Sequence, residues 1–132
     1  ILVGVFVLGV IIGLLIPMGL ILSKFRFGAG YDLYDISKGF GQLKYDEGGY
    51  EYSVIEDNSK SSVRLIKVKE ILEDKSIRDS YVIVNRGSVT VGIEDSDQEL
   101  GSSDMVRIHE GTKYDIVKTS DSPAEVVIIS LK

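Results

Sequence analysis

The chain has no cysteine and no tryptophan, two prolines and a single histidine. Without cysteine, disulfides, zinc–thiolate sites, iron–sulfur clusters and thiol nucleophiles are all excluded. One histidine cannot supply the three or four side chains that a zinc or non-haem iron site draws on. Charge is also missing from one end: the first 22 residues, ILVGVFVLGVIIGLLIPMGLIL, carry neither a charged nor a polar side chain. All charged residues follow Ser23, and the net charge of −5 belongs to them. No basic cluster is present, which argues against a nucleic-acid partner.

The apolar run is long enough to matter. As a helix rising about 1.5 Å per residue it spans roughly 33 Å, against a hydrocarbon core of about 30 Å. It is too long for a signal-peptide core, and no small-residue cleavage site follows it. Residues 1–22 are therefore expected to form a single transmembrane helix. Gly9 and Gly13 are four apart and share a helix face, a pattern that lets a second helix approach closely. Pro17 would leave the carbonyl of Gly13 without its donor and kink the span. These three residues make the expected helix-packing face, toward a membrane protein partner or identical subunits. The run starts at Ile1 with no polar flank before it. That fits either leading residues outside this sequence or a leader cut just before the helix, as in pilin-like subunits. Lys24 and Arg26 follow the span, but with one flank only the topology stays open; the head is expected on the extracytoplasmic side.

After a juxtamembrane segment, residues 23–49, the pattern turns to β. Short runs rich in β-branched and aromatic residues alternate with turn residues about every ten positions, as in a sandwich or small barrel. The expected strands are 31–36, 50–56, 63–71, 81–84, 89–93, 105–108, 114–117 and 126–131. Gly87, after Asn85–Arg86, suits a positive-φ hairpin position.

Two stretches within residues 50–132 resemble the cupin family. Tyr81–Val82–Ile83–Val84–Asn85–Arg86–Gly87 followed by Ser88–Val89–Thr90–Val91 is similar to the family's first motif. Gly101 to Tyr114, with Asp104, His109 and Gly111, is similar to its second, with two extra residues between glycine and aspartate. The resemblance implies an all-β jelly-roll or cupin-like sandwich, which the apolar run would precede as one N-terminal transmembrane helix. It also implies where metal ligands would sit: within Asp74–Ser76, at Ser80 and at Tyr114. None of these is a histidine, and His109 falls where the family often has proline. The implied fold is kept and the family's metal-dependent activities are not, so no cofactor or metal is expected.

Other tempting residues have plainer explanations. His109–Glu110 reads as an exposed turn, since strand neighbours point oppositely and no third group is identifiable. Gly39, Gly41, Gly48 and Gly49 lack the lysine and helix start of a phosphate loop. Asp95, Asp97 and Glu99 lack the spacing of a calcium loop. Tyr31, Tyr34, Tyr45, Tyr50 and Tyr52 interleave with acidic residues and form a candidate interface. The function expected from these features is a non-enzymatic, single-pass membrane subunit that assembles through its helix and β head. The alternatives are a pilin-like filament subunit and a metal-free cupin that binds a small ligand.

Overall fold

The computed structural model describes residues 24–26 and 32–132. The expected transmembrane helix, with Gly9, Gly13 and Pro17, lies outside the described residues, as does Tyr31. Among the described residues no helix is long and apolar enough to cross a membrane. The chain divides into two compact units between Gly39 and Phe40.

In the first unit, β1 (Lys24–Arg26) pairs antiparallel with β2 (Asp32–Tyr34). A one-turn helix, α1 (Ile36–Phe40), whose last residue is the first of the second unit, begins after Asp35, whose carboxylate accepts the amide of Lys38 at 3.0 Å. That is a cap for an otherwise orphaned donor.

The second unit is a β sandwich. Its strands are β3 (Tyr45–Asp46), β4 (Tyr50–Asp57), β5 (Ser61–Val68), β6 (Ile71–Lys75), β7 (Ser80–Arg86), β8 (Val89–Ile93), β9 (Ser96–Leu100), β10 (Met105–Ile108), β11 (Lys113–Lys118) and β12 (Ala124–Leu131). A six-stranded sheet runs β10-β7-β12-β5-β4-β3, and a four-stranded sheet runs β6-β11-β8-β9. Every ladder is antiparallel. Among the described residues the free edges are therefore β10 and β3 in one sheet and β6 and β9 in the other.

Alternation builds the core. In β5, β7 and β12 the side chains of Ile66, Val68, Val82, Val84, Val126 and Ile128 point inward and are fully buried. Leu72, Val89, Val91, Tyr114 and Ile116 meet them from the smaller sheet. Burying one such aliphatic side chain stabilises the fold by roughly 1.5–3 kcal/mol. The outer face of the larger sheet is apolar too: Phe40, Leu65 and Val127 are buried there, beside Leu43, Ile55, Val63, Ile83 and Ile129. The sandwich thus gathers residues before Tyr50, with Phe40 in this cluster and β3 paired to β4.

Gly87 has φ +87°, and a Cβ there would lie 2.8 Å from Ser120 Oγ, so the position needs glycine; the turn is not the expected hairpin, because β7 and β8 lie in different sheets and the chain crosses from one to the other at this point. The strands expected at 89–93 and 105–108 are β8 and β10. The single run expected over 63–71 is two elements, β5 and β6, which lie in different sheets. The stretch expected at 31–36 is a short strand followed by α1.

Candidate functional site

One end of the sandwich opens into a cleft of about 440 Å³ between the two sheets. Its centre is set by register. Tyr114 on β11 is the direct cross-strand partner of Asp74 on β6. Leu72 and Ile116, one step along the same face, are core residues, so Asp74 and Tyr114 also face inward. From the opposite sheet, Arg64 on β5 stands across from Ile128 and shares its inward face. The three side chains meet: Tyr114 Oη donates to Asp74 Oδ2 at 3.3 Å, and Arg64 Nη2 donates to the same oxygen at 3.4 Å.

Beside them lies a row of hydroxyls. Ser80 and Ser130 are cross-strand partners on β7 and β12, with Oγ atoms 3.0 Å apart. Ser76, from the loop after β6, brings its Oγ to 3.0 Å from Ser80 Oγ. That loop is tied down by the Ser76 amide, which donates to the Thr112 carbonyl at 2.9 Å.

The electrostatics of the cleft run against those of the chain. Four cations line it, Arg64, Lys75, Arg78 and Lys132, against two carboxylates, Asp57 and Asp74, in a protein of net charge −5. Burial pushes the Tyr114 hydroxyl up to about 12, and the Asp74 charge adds to the shift. Tyr114 therefore keeps its proton throughout the physiological range and acts as a donor.

The positions that the cupin resemblance assigns to metal ligands converge here: Asp74, Ser76, Ser80 and Tyr114 all line this cleft. His109 does not; it is exposed at the end of β10. Among the described residues no three His, Cys, Asp or Glu side chains are grouped to hold a metal ion. Arg64 and Ser130 were not singled out by the sequence. Arg64 has the same strand parity as Ile66 and Val68, the inward-facing residues of its run, and that is the signal that could have marked the first.

The tyrosines separate. Tyr45 and Tyr52 are cross-strand partners with ring centroids 5.0 Å apart, and Tyr50 lies 6.0 Å from Tyr52. Tyr50 and Tyr52 pack against the core, while Tyr45 is half exposed. Tyr34 belongs to the other unit.

Comparison with known structures identifies the architecture. The chain aligns with a cupin superfamily protein from Desulfitobacterium hafniense at a TM-score of 0.58 and 12% identity, covering 67% of this chain and 83% of that one. The domain has the cupin fold. With the EutQ protein of Clostridium difficile the TM-score is 0.65 at 11% identity, over 82% of this chain and 92% of that one. With KdgF from a Halomonas species it is 0.60 at 15% identity, over 69% and 88%. No protein-family model matches the chain, and no curated protein matches its sequence. These likenesses correct one expectation. The chain was expected to be non-enzymatic, yet its fold is that of KdgF and EutQ, a cupin scaffold on which enzymes are often built. The absence of a histidine set removes one kind of chemistry, not catalysis.

Proposed function

We propose that the β head is a metal-free cupin whose cleft binds a small organic anion. The observation that carries this reading is the replacement of the ligand positions. Where the resemblance sets metal ligands, the cleft holds Asp74, Ser76, Ser80 and Tyr114, and Arg64 reaches across to them. A guanidinium has five N–H donors in a fixed fork, and one toward Asp74 leaves others for a carboxylate or phosphate. The cationic lining adds long-range attraction. Binding is the first step of any reaction the cleft performs.

Calorimetric titration of the full chain with small carboxylates and phosphate tests it. Arg64→Met should weaken binding of whichever anion the parent takes by at least about tenfold, the order expected for losing a charge-assisted contact. Binding unchanged by Arg64→Met overturns the reading, as does stoichiometric metal that is lost on Asp74→Ala.

Attachment to a membrane through residues 1–22, with Gly9 and Gly13 facing a partner helix, is a second proposal. Its support is the uncharged run of 22 residues.

A further inference from the structure

Two donors in the cleft already converge on one oxygen, and that oxygen belongs to the protein. Arg64 finds no counter-charge across its own sheet: its cross-strand partners are Val54 on β4 and Ile128 on β12, both aliphatic. Its acidic partner comes from the other sheet. Asp74 Oδ2 accepts from Arg64 Nη2 at 3.4 Å and from Tyr114 Oη at 3.3 Å. The other carboxylate lining the cleft, Asp57, is held by Lys132. Asp74 is therefore the carboxylate that occupies these donors.

Both contacts are long. Charge-assisted bonds usually run about 2.7–2.9 Å from a nitrogen and about 2.5–2.7 Å from a hydroxyl. Asp74 is fixed to β6, and its Oδ1 accepts the amide of Lys75 at 2.8 Å, so the strand limits how far Oδ2 reaches. A free carboxylate has no such tether and can close to full contact with both donors. The Asp74 side chain is 38% exposed and on an edge strand, so it has solvent to turn into.

We infer that Asp74 is a built-in competitor: its carboxylate stands in for the ligand's, and an anion binds by taking Arg64 Nη2 and Tyr114 Oη from it; this rests on the anion-binding reading above. Displaced or not, the Asp74 charge opposes a second anion at the same donors. The side chain that fills the empty site thereby sets how tightly an anion must bind to enter.

Calorimetric titration of the full chain with acetate and with inorganic phosphate tests this. Asp74→Asn keeps the shape and removes the charge. It should bind both anions about fivefold or more tighter than the parent, the effect of one unit charge about 4 Å away even in bulk water. Phosphate carries more charge and should gain more than acetate. Asp74→Ala should show the same gain where the asparagine oxygen still holds the donors. Glu73→Gln removes an equal charge from the opposite face of β6 and should change affinity by less than about twofold. Adding Tyr114→Phe to Asp74→Asn should take back about fivefold or more, on the scale of one hydrogen bond to a charged group. Affinity unchanged or lowered in both folded Asp74 variants, with Arg64→Met still weakening the parent, overturns the inference and leaves the anion-binding reading standing. An equal gain in Glu73→Gln also overturns it, since net charge and not position would then set the affinity. A gain kept in full after Tyr114→Phe overturns the placement between the two donors. Failure of every small carboxylate and phosphate to bind parent or variant overturns the anion-binding reading, and this inference with it.

Discussion

Replacing Tyr114 by phenylalanine separates two contributions of one hydroxyl. The ring is 5% exposed and packs in the core, and phenylalanine keeps it there. The hydroxyl donates to Asp74 at 3.3 Å, and losing that bond costs about 1 kcal/mol at neutral pH. The larger effect is in alkali. Burial, with the Asp74 charge second, pushes Tyr114 up to about 12, against an ordinary value of 10.0. The folded protein holds this proton more tightly than the unfolded chain does. The resulting stability is fully present below pH 10.0 and is lost as pH rises from there through about 12. A shift of this size corresponds to about 3 kcal/mol at about 1.4 kcal/mol per pH unit. The variant has no such group to lose. Urea unfolding of parent and Tyr114→Phe from about pH 7 to about pH 11.5 should show the parent more stable at neutrality and the difference closing, then reversing, in alkali. Tyr50 is also shifted upward, by its own burial first, but it is present in both proteins and cancels in the difference. A parent–variant difference that stays constant across this range would refute the argument.

Gly49→Ala should destabilise the head by about 2 kcal/mol, because the new Cβ would sit 2.6 Å from the carbonyl oxygen of Ile71. The amides of Lys69 and Glu70 both donate to the Gly49 carbonyl, which holds the backbone in place; an unchanged thermal midpoint would show that it yields. The Asp79 carboxyl is held below its ordinary 3.8 first by the hydrogen bond from Arg107 and next by the amide of Glu110. Arg107→Ala should therefore move the Asp79 midpoint upward in an NMR titration, and a midpoint that does not move would assign the shift to another cause.

The fold was legible where alternation met burial. β8 and β10 carry one buried face each and read as strands without help. β6 and β9 did not, because edge strands in water are free to carry charge: Glu73–Asp74–Lys75 and Ser96–Asp97–Gln98–Glu99 look like turns by composition. The cleft was half legible. Counting along the cupin-like motifs placed Asp74, Ser76, Ser80 and Tyr114, since motif spacing follows the chain. Arg64 and Ser130 lie 66 positions apart in sequence, and only the pairing of β5 with β12 makes them neighbours. Sequence alone has no measure of that distance.

The two edges of the smaller sheet that no described strand covers have a consequence for how copies of this protein treat one another. An unpaired strand is a template on which another chain can add hydrogen bonds, and charge along it is what keeps that from happening. β9 presents Asp97 and Glu99 outward and β6 presents Glu73, all exposed. Two such edges approaching each other meet like charge before they meet amides. Were Asp97 and Glu99 both replaced by their amides, the repulsion would be gone and the β9 backbone would become an open end where one sheet can continue into the next.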